Sequence, residues 1–236
     1  MPIGLFLNAP GAFGYPDTTW GARVKVEPVE EFYAMISAYN GDPNLKEGEL
    51  HGVDFSIRGP LFLIGEIGLR RNYGKDADGL SGNLKIGGYY DAGRYGLYLL
   101  GDQELFRWGD SKEDRHLGAF GALTFTPDRQ TNIPPLFLDA GLVLYGPAPS
   151  RPKDFVGFAV AYGAYGGANA PAMGAPNSLS GSMNVPDFEM TLEWMYGLKL
   201  WPGLLLQPDV QYLIHPSGDR AIPNALATGL NVVVSL

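Results

Sequence analysis

The stretch that most constrains this 236-residue chain lies between residues 188 and 215. Taken every second residue, Phe188, Met190, Leu192, Trp194 and Tyr196 fall on one side and Glu189, Thr191 and Glu193 on the other. After Pro202-Gly203 the pattern returns, with Leu204, Leu206, Val210, Tyr212 and Ile214 opposing Gln207, Asp209, Gln211 and His215. Successive side chains of an extended strand point to opposite faces, so this is a hairpin with one polar and one aromatic-rich apolar face.

The alternation recurs along the chain. Trp20, Ala22, Val24 and Val26 oppose Arg23, Lys25 and Glu27 until Pro28, and Phe32, Ala34, Ile36 and Ala38 then oppose Tyr33, Met35, Ser37 and Tyr39. Leu61, Leu63, Ile67 and Leu69 oppose Glu66 and Arg70, while Leu84, Ile86 and Tyr90 oppose Lys85, Tyr89 and Asp91. The run from Tyr95 to Trp108 is the least regular, with Leu97 and Leu99 on one face and Leu100 on the other. Beyond the charged connection 109–116, Leu117, Ala119, Leu123 and Phe125 oppose Phe120 and Thr124, and Leu136, Leu138, Leu142 and Leu144 oppose Phe137, Asp139 and Val143. Val156, Phe158, Val160 and Tyr162 oppose only glycine and alanine. A last segment carries Leu226, Leu230, Val232 and Val234 on one face.

About 11 such segments, mostly of membrane-strand length, form the expected fold. Residues 1 to 19 read as irregular, and 20 to 236 as a single β-barrel domain with long loops at about 40–60 and 166–186. Alternation alone does not say which face is enclosed, because a soluble sandwich alternates too. Aromatics near segment ends, among them Trp20, Tyr90, Tyr145, Trp194, Trp201 and Tyr212, favour an apolar exterior in lipid.

Composition narrows the functional classes. With 33 Gly, 19 Pro and 18% charged residues the chain suits many strands joined by tight turns. A net charge of -8 disfavours nucleic acid as a partner. The absence of cysteine removes disulfides and thiol chemistry. No apolar run approaches the roughly 20 residues of a membrane helix, which leaves a membrane barrel open. Residues 1 to 7 lack the basic region and apolar core of a signal peptide, so the expectation is a chain that is not exported or whose start is missing. His51, His116 and His215 are too scattered for a metal site. Glu189 and Glu193, roughly 13 Å apart along a strand, are too distant for a glycosidase pair. Neither a catalytic centre nor a cofactor is expected.

Leu206-Gln207-Pro208-Asp209-Val210-Gln211-Tyr212, His215-Pro216-Ser217-Gly218 and Ile222-Pro223-Asn224-Ala225 resemble the carbohydrate-selective porin family (OprB-type) of Gram-negative outer membranes. Tyr95-Gly96-Leu97-Tyr98 with Asp102-Gln103, Asn40-Gly41-Asp42-Pro43, and Leu61 to Glu66 are similar to family stretches in the same order. The resemblance implies an antiparallel transmembrane barrel of 16 strands, trimeric in the outer membrane, through which sugars diffuse passively past inward loops. This chain supplies about 11 of those strands and ends in Leu236, where the family prefers an aromatic. A partial barrel forming the C-terminal part of a longer porin is therefore expected, with outer-membrane lipid, small sugars and two further copies of the chain as its partners.

On that reading the polar faces line the channel. The candidate residues are Arg23, Lys25, Glu66, Arg70, Lys85, Tyr89, Asp91, Asp139, Glu189, Glu193, Gln207, Asp209, Gln211 and His215. Neutral hydroxyl-rich sugars need mixed donors and acceptors, with rings such as Tyr33, Tyr39, Tyr89 and Phe120 for their apolar faces. The rival readings are a soluble β-barrel that binds a ligand inside and an outer-membrane barrel enzyme.

Overall fold

The computed structural model describes residues 20–41, 60–72, 79–91, 93–108, 115–127, 135–165 and 187–235. The expected irregular segment 1–19, most of the 40–60 loop, the loop 166–186 and Leu236 lie outside the described residues.

Eleven strands follow one another in chain order: β1 (Gly21–Val29), β2 (Phe32–Asn40), β3 (Leu61–Arg71), β4 (Gly82–Asp91), β5 (Arg94–Arg107), β6 (His116–Phe125), β7 (Leu136–Tyr145), β8 (Phe155–Ala164), β9 (Phe188–Trp201), β10 (Leu204–Ile214) and β11 (Ala225–Val234). Each pairs antiparallel with the next in a single sheet of order β1 to β11, so every connection is an up-and-down one. The tight turns 30–31 and 202–203 close one end, where Gly203 adopts a left-handed φ of 91°. That end also carries the connections 72–81, 108–115 and 146–154, while the opposite end carries the short connection 92–93 and the connections 41–60, 126–135, 165–187 and 215–224, the two longest among them. Among the described residues the outer edges of β1 and β11 pair with no strand.

The expected faces are those found. Ile36, Ile67, Ile86, Leu99, Leu142, Trp194 and Val210 share one face and remain exposed, Ile86 by 48% and Trp194 by 52%. The other face buries Tyr33, Ser37, Tyr89, Phe137, Asp139, Ala161 and Glu193. Side chains on the inside of a curved sheet converge and screen one another, so the polar face is the inner one. An apolar face of this extent has no place in water; it matches the outward band of a membrane barrel. A shallow groove of 650 Å³ crosses it where Gly101, Gly121 and Ala140 leave a gap between Leu84, Leu99 and Leu138.

Two local departures have physical causes. Pro28 was expected to end the first segment, yet β1 runs through it to Val29. Pro28 has no N–H to give, and β1 absorbs it as an edge strand with a register shift between Val26 and Val29. The irregular fifth segment is a 14-residue strand, and its register shifts between Glu104 and Phe106. The extra residue restores the face on which Arg107 meets His116.

A packing device runs along the inner face. Tyr33 pairs with Gly68, Tyr98 with Gly87, Tyr89 with Gly96, Phe120 with Gly141 and Phe155 with Gly197, each ring lying over the glycine directly across from it. A Cβ added at Gly68, Gly87 or Gly197 would stand 2.0, 2.2 or 2.2 Å from the ring. Glycine there lets large rings lie flat against the wall rather than project from it.

Candidate functional site

The inner wall of β1 to β5 is built around one carboxylate. Glu66 on β3 accepts 2.6 Å from the Tyr33 hydroxyl on β2 and 2.8 Å from the Tyr98 hydroxyl on β5. Register makes this possible: Met35 faces Glu66, Glu66 faces Gly87, and Gly87 faces Tyr98, so both phenols reach one side chain over glycine-lightened neighbours. Below it, Glu27 accepts from Lys25 at 2.9 Å and from Arg70 at 2.8 Å. Lys25 Nζ lies 4.5 Å and Arg70 Cζ 4.9 Å from the Tyr33 ring centroid, within cation–π range. Arg70 also donates to the Glu30 carbonyl at 3.3 Å.

Further along the same face Lys85 stands between Gly68 and Leu100, Arg23 faces Ser37, and Asn83 donates to Asp102 at 2.9 Å. Towards the long-loop end, Tyr39, Phe62 and Tyr89 form a strip across β2, β3 and β4, with ring centroids 6.1 and 6.0 Å apart. The Tyr89 hydroxyl is 2.9 Å from Thr126 Oγ1. Asp91 is buried at the end of β4 on this face.

The far half of the wall is acidic. Asp139 on β7 and Glu193 on β9 are buried on either side of β8, whose inner face offers only Gly157, Ala159, Ala161 and Gly163 between them. Gln211 pairs with Glu193 and donates to Asp209 at 3.2 Å, and Asn231 donates to Gln207 at 3.0 Å. Glu189 accepts from the Ser217 N–H. Cations Arg23, Lys25, Arg70 and Lys85 thus cluster on β1 to β4, with Glu27, Glu66 and Asp91 among them, while Asp139, Glu189, Glu193 and Asp209 occupy β7 to β10. The face carries a transverse charge asymmetry.

Of the candidate residues, thirteen fall on the polar face of a strand, and His215 does not. The alternation expected to carry through it stops at Ile214. His215 turns left-handed, with φ 51°, to lead into the 3-10 turn Pro216–Gly218. Its ring packs tilted at 55° against that of Phe188, a residue of the apolar face, with centroids 4.6 Å apart. The alternation puts Glu27 on this face with Arg23 and Lys25, but the candidate set leaves it out, together with Phe62, Tyr98 and Asp102. Phe62 shares the parity of Glu66 and could have been read from it; Tyr98 and Asp102 sit in the irregular fifth strand. Among the described residues no group of three or more His, Cys, Asp and Glu is placed to hold a metal.

At the short-turn end, Asp154 ties the connection that precedes β8 to β9. Its carboxylate accepts from Arg151 at 2.6 and 3.0 Å, from the Tyr196 hydroxyl at 2.7 Å and from the Lys199 N–H at 3.0 Å. Burial alone would raise its pKa, but the Arg151, Tyr196 and Lys199 hydrogen bonds outweigh this and hold it below the usual carboxylate range. The 146–154 connection is thereby pinned to β9.

With that geometry in place, comparison with known proteins is direct. The model of the family described as "Carbohydrate-selective porin, OprB family" matches residues 8–96 and 90–236. Porin B of Pseudomonas aeruginosa is 24% identical over 256 residues, covering 93% of this chain and 55% of the relative. The putative porin QuiX of Acinetobacter baylyi is 21% identical over 249 residues, covering 93% and 56%. The high-pH structure of Pseudomonas putida OprB superposes with a TM-score of 0.76 at 23% identity, over 94% of this chain and 60% of that one. The low-pH structure gives 0.62 at 21% identity, over 93% and 56%. The chain spans somewhat more than half the length of these relatives. It belongs to the carbohydrate-selective porin family.

Proposed function

We propose that this member of the carbohydrate-selective porin family forms part of the wall of an outer-membrane channel through which small neutral sugars diffuse passively. The observation that carries the reading is the pairing of two opposite faces on one sheet. The outward face exposes a band of aliphatic and aromatic side chains suited to lipid, and the inward face presents carboxylates, cations, amides and flat aromatic rings.

A hydroxyl-rich solute leaving water needs both donors and acceptors, and its ring C–H faces favour aromatic surfaces. Glu66, Arg70, Lys85, Asp102, Asp139, Gln207, Asp209 and Gln211 supply the first. Tyr39, Phe62 and Tyr89 supply a graded aromatic surface at the end carrying the long connections, which faces the exterior if short turns lie on the periplasmic side. No residue of the wall performs covalent chemistry in this reading. In this reading closure of the barrel takes strands beyond the eleven described, and the assembled protein is a homotrimer, as the family resemblance implies.

The test is planar-bilayer conductance of the reconstituted porin in salt, with and without glucose or maltose. Discrete openings that sugar reduces in a concentration-dependent way are expected. Openings indifferent to both sugars overturn the carbohydrate reading, and a β-rich protein that is monodisperse without detergent overturns the membrane one. Sedimentation equilibrium in detergent tests the trimer.

A further inference from the structure

We infer that Asp139 is the anchor of a saccharide subsite, its carboxylate receiving hydroxyl hydrogens from a pyranose laid over the small-residue inner face of β8. The inference rests on the transport reading above and adds to it a residue and a place.

Asp139 is 5% exposed, and its Oδ1 is buried without a hydrogen-bond partner. Its cross-strand neighbours on the inner face are Ala122 and Ala161, and Phe137 and Gly141 flank it along β7. None has a side-chain donor. A carboxylate buried among alkyl and aromatic groups is costly unless something donates to it, so an orphaned one calls for a donor from outside the wall. The surroundings also say what kind. Ala161, with Ala159 and Gly157 further along β8, leaves a low floor beside the carboxylate, and the Phe120 ring lies flat over Gly141 next to it. A floor with an aromatic edge and a carboxylate on either side, Asp139 against Ala161 and Glu193 against Ala159, fits a neutral sugar ring, whose vicinal hydroxyls bond to a carboxylate. A cation is a poorer fit, since hard cations take six or more oxygen ligands while Ala122 and Ala161 offer none and the two flanking carboxylates, Asp139 and Glu193, hold four oxygens between them.

The experiment compares wild-type porin with Asp139→Asn and Ala161→Leu in planar bilayers, reading the glucose concentration that halves the current and the reversal potential in a salt gradient. Heat-modifiable migration on gels establishes that each variant is folded. Loss of a charge-assisted acceptor is worth about a tenfold rise in the half-blocking concentration for Asp139→Asn. Ala161→Leu, which keeps the carboxylate but fills the floor, is expected to raise it as well, and it decides the matter if Asp139→Asn does not fold. Once the eleven strands are closed by the further ones, a wild-type barrel that opens no channel overturns the transport reading and this subsite with it. A wild type blocked by glucose, with both folded variants blocked equally well, overturns the subsite alone. An Asp139→Asn channel changed only in its reversal potential makes Asp139 a cation site and likewise overturns it.

Discussion

Gly68→Ala is a one-methyl change that should destabilise the protein through a side chain on another strand. The added Cβ would fall 2.0 Å from Tyr33 Cε1 and 2.3 Å from Cζ, so the ring must lift off the wall. Lifting it breaks the 2.6 Å bond to Glu66 and removes the ring from Lys25 and Arg70. A hydrogen bond to a charged group is worth about 1.5–3 kcal/mol and an exposed cation–π contact about 0.5–1 kcal/mol. Against this, replacing a strand glycine returns about 0.5–1 kcal/mol of backbone entropy. The expected net loss is about 2–4 kcal/mol, read as a lower urea midpoint for unfolding in lipid vesicles with unchanged slope. In a Tyr33→Ala background the same substitution has no ring to displace and should be neutral or slightly stabilising, so the coupling is as large as the effect itself. An equal cost in both backgrounds, or no cost in the native one, refutes the argument that glycine is there to seat the ring.

Other expectations follow from the same wall and its ends. Glu66→Ala leaves two phenol hydroxyls without their acceptor and should lower the urea midpoint more than Tyr98→Phe, which removes only the 2.8 Å bond. Ile86→Arg, on the exposed apolar face near the middle of β4, should cost about 2–4 kcal/mol in lipid vesicles, as a charge does near the bilayer centre. The depressed pKa of Asp154 gives stability that is fully present above about pH 4, the ordinary aspartate range, and lost as pH falls through the lower folded value. Asp154→Asn should be less stable at neutral pH and lack that part of the acid dependence, measured by unfolding at pH 2 to 7.

Strand number, order and face were legible because a period of two is a property of the extended backbone, and a chain with one face in lipid and one in water must declare it at nearly every position. Leu61 to Arg71 is the clearest case: its aliphatics and its Glu66 and Arg70 separate in sequence as they do in space. Legibility failed where a residue or the backbone departs from that period. Leu100, an aliphatic opposite Lys85 on the polar side, masked the parity of Tyr98 and Asp102, and the left-handed turn at His215 took a residue with lining parity off the wall. Partnership across strands was also hidden. Nothing local to Gly68 announces that Tyr33, thirty-five positions earlier, lies over it, because register is set by the whole ladder rather than by either segment.

The same ladder constrains how the channel can close. Eleven strands of alternating direction leave β1 and β11 running the same way, so joining these edges directly would make a parallel pair. A second copy does not help: related by rotation about the membrane normal, it offers its own β1 in that same direction, and turning it over would place it upside down in the bilayer. Antiparallel closure therefore needs an odd number of further strands, and any odd number added to eleven gives the even total typical of such barrels. Five gives the sixteen that the family resemblance implies. Left open, each edge would hold a row of backbone N–H and C=O groups in hydrocarbon at several kcal/mol apiece, so the eleven strands alone should stay at the membrane surface or aggregate. Supplying the further strands as a separate polypeptide during refolding should then convert a silent bilayer into one with discrete openings. Openings from this chain alone would refute the need for strands beyond it.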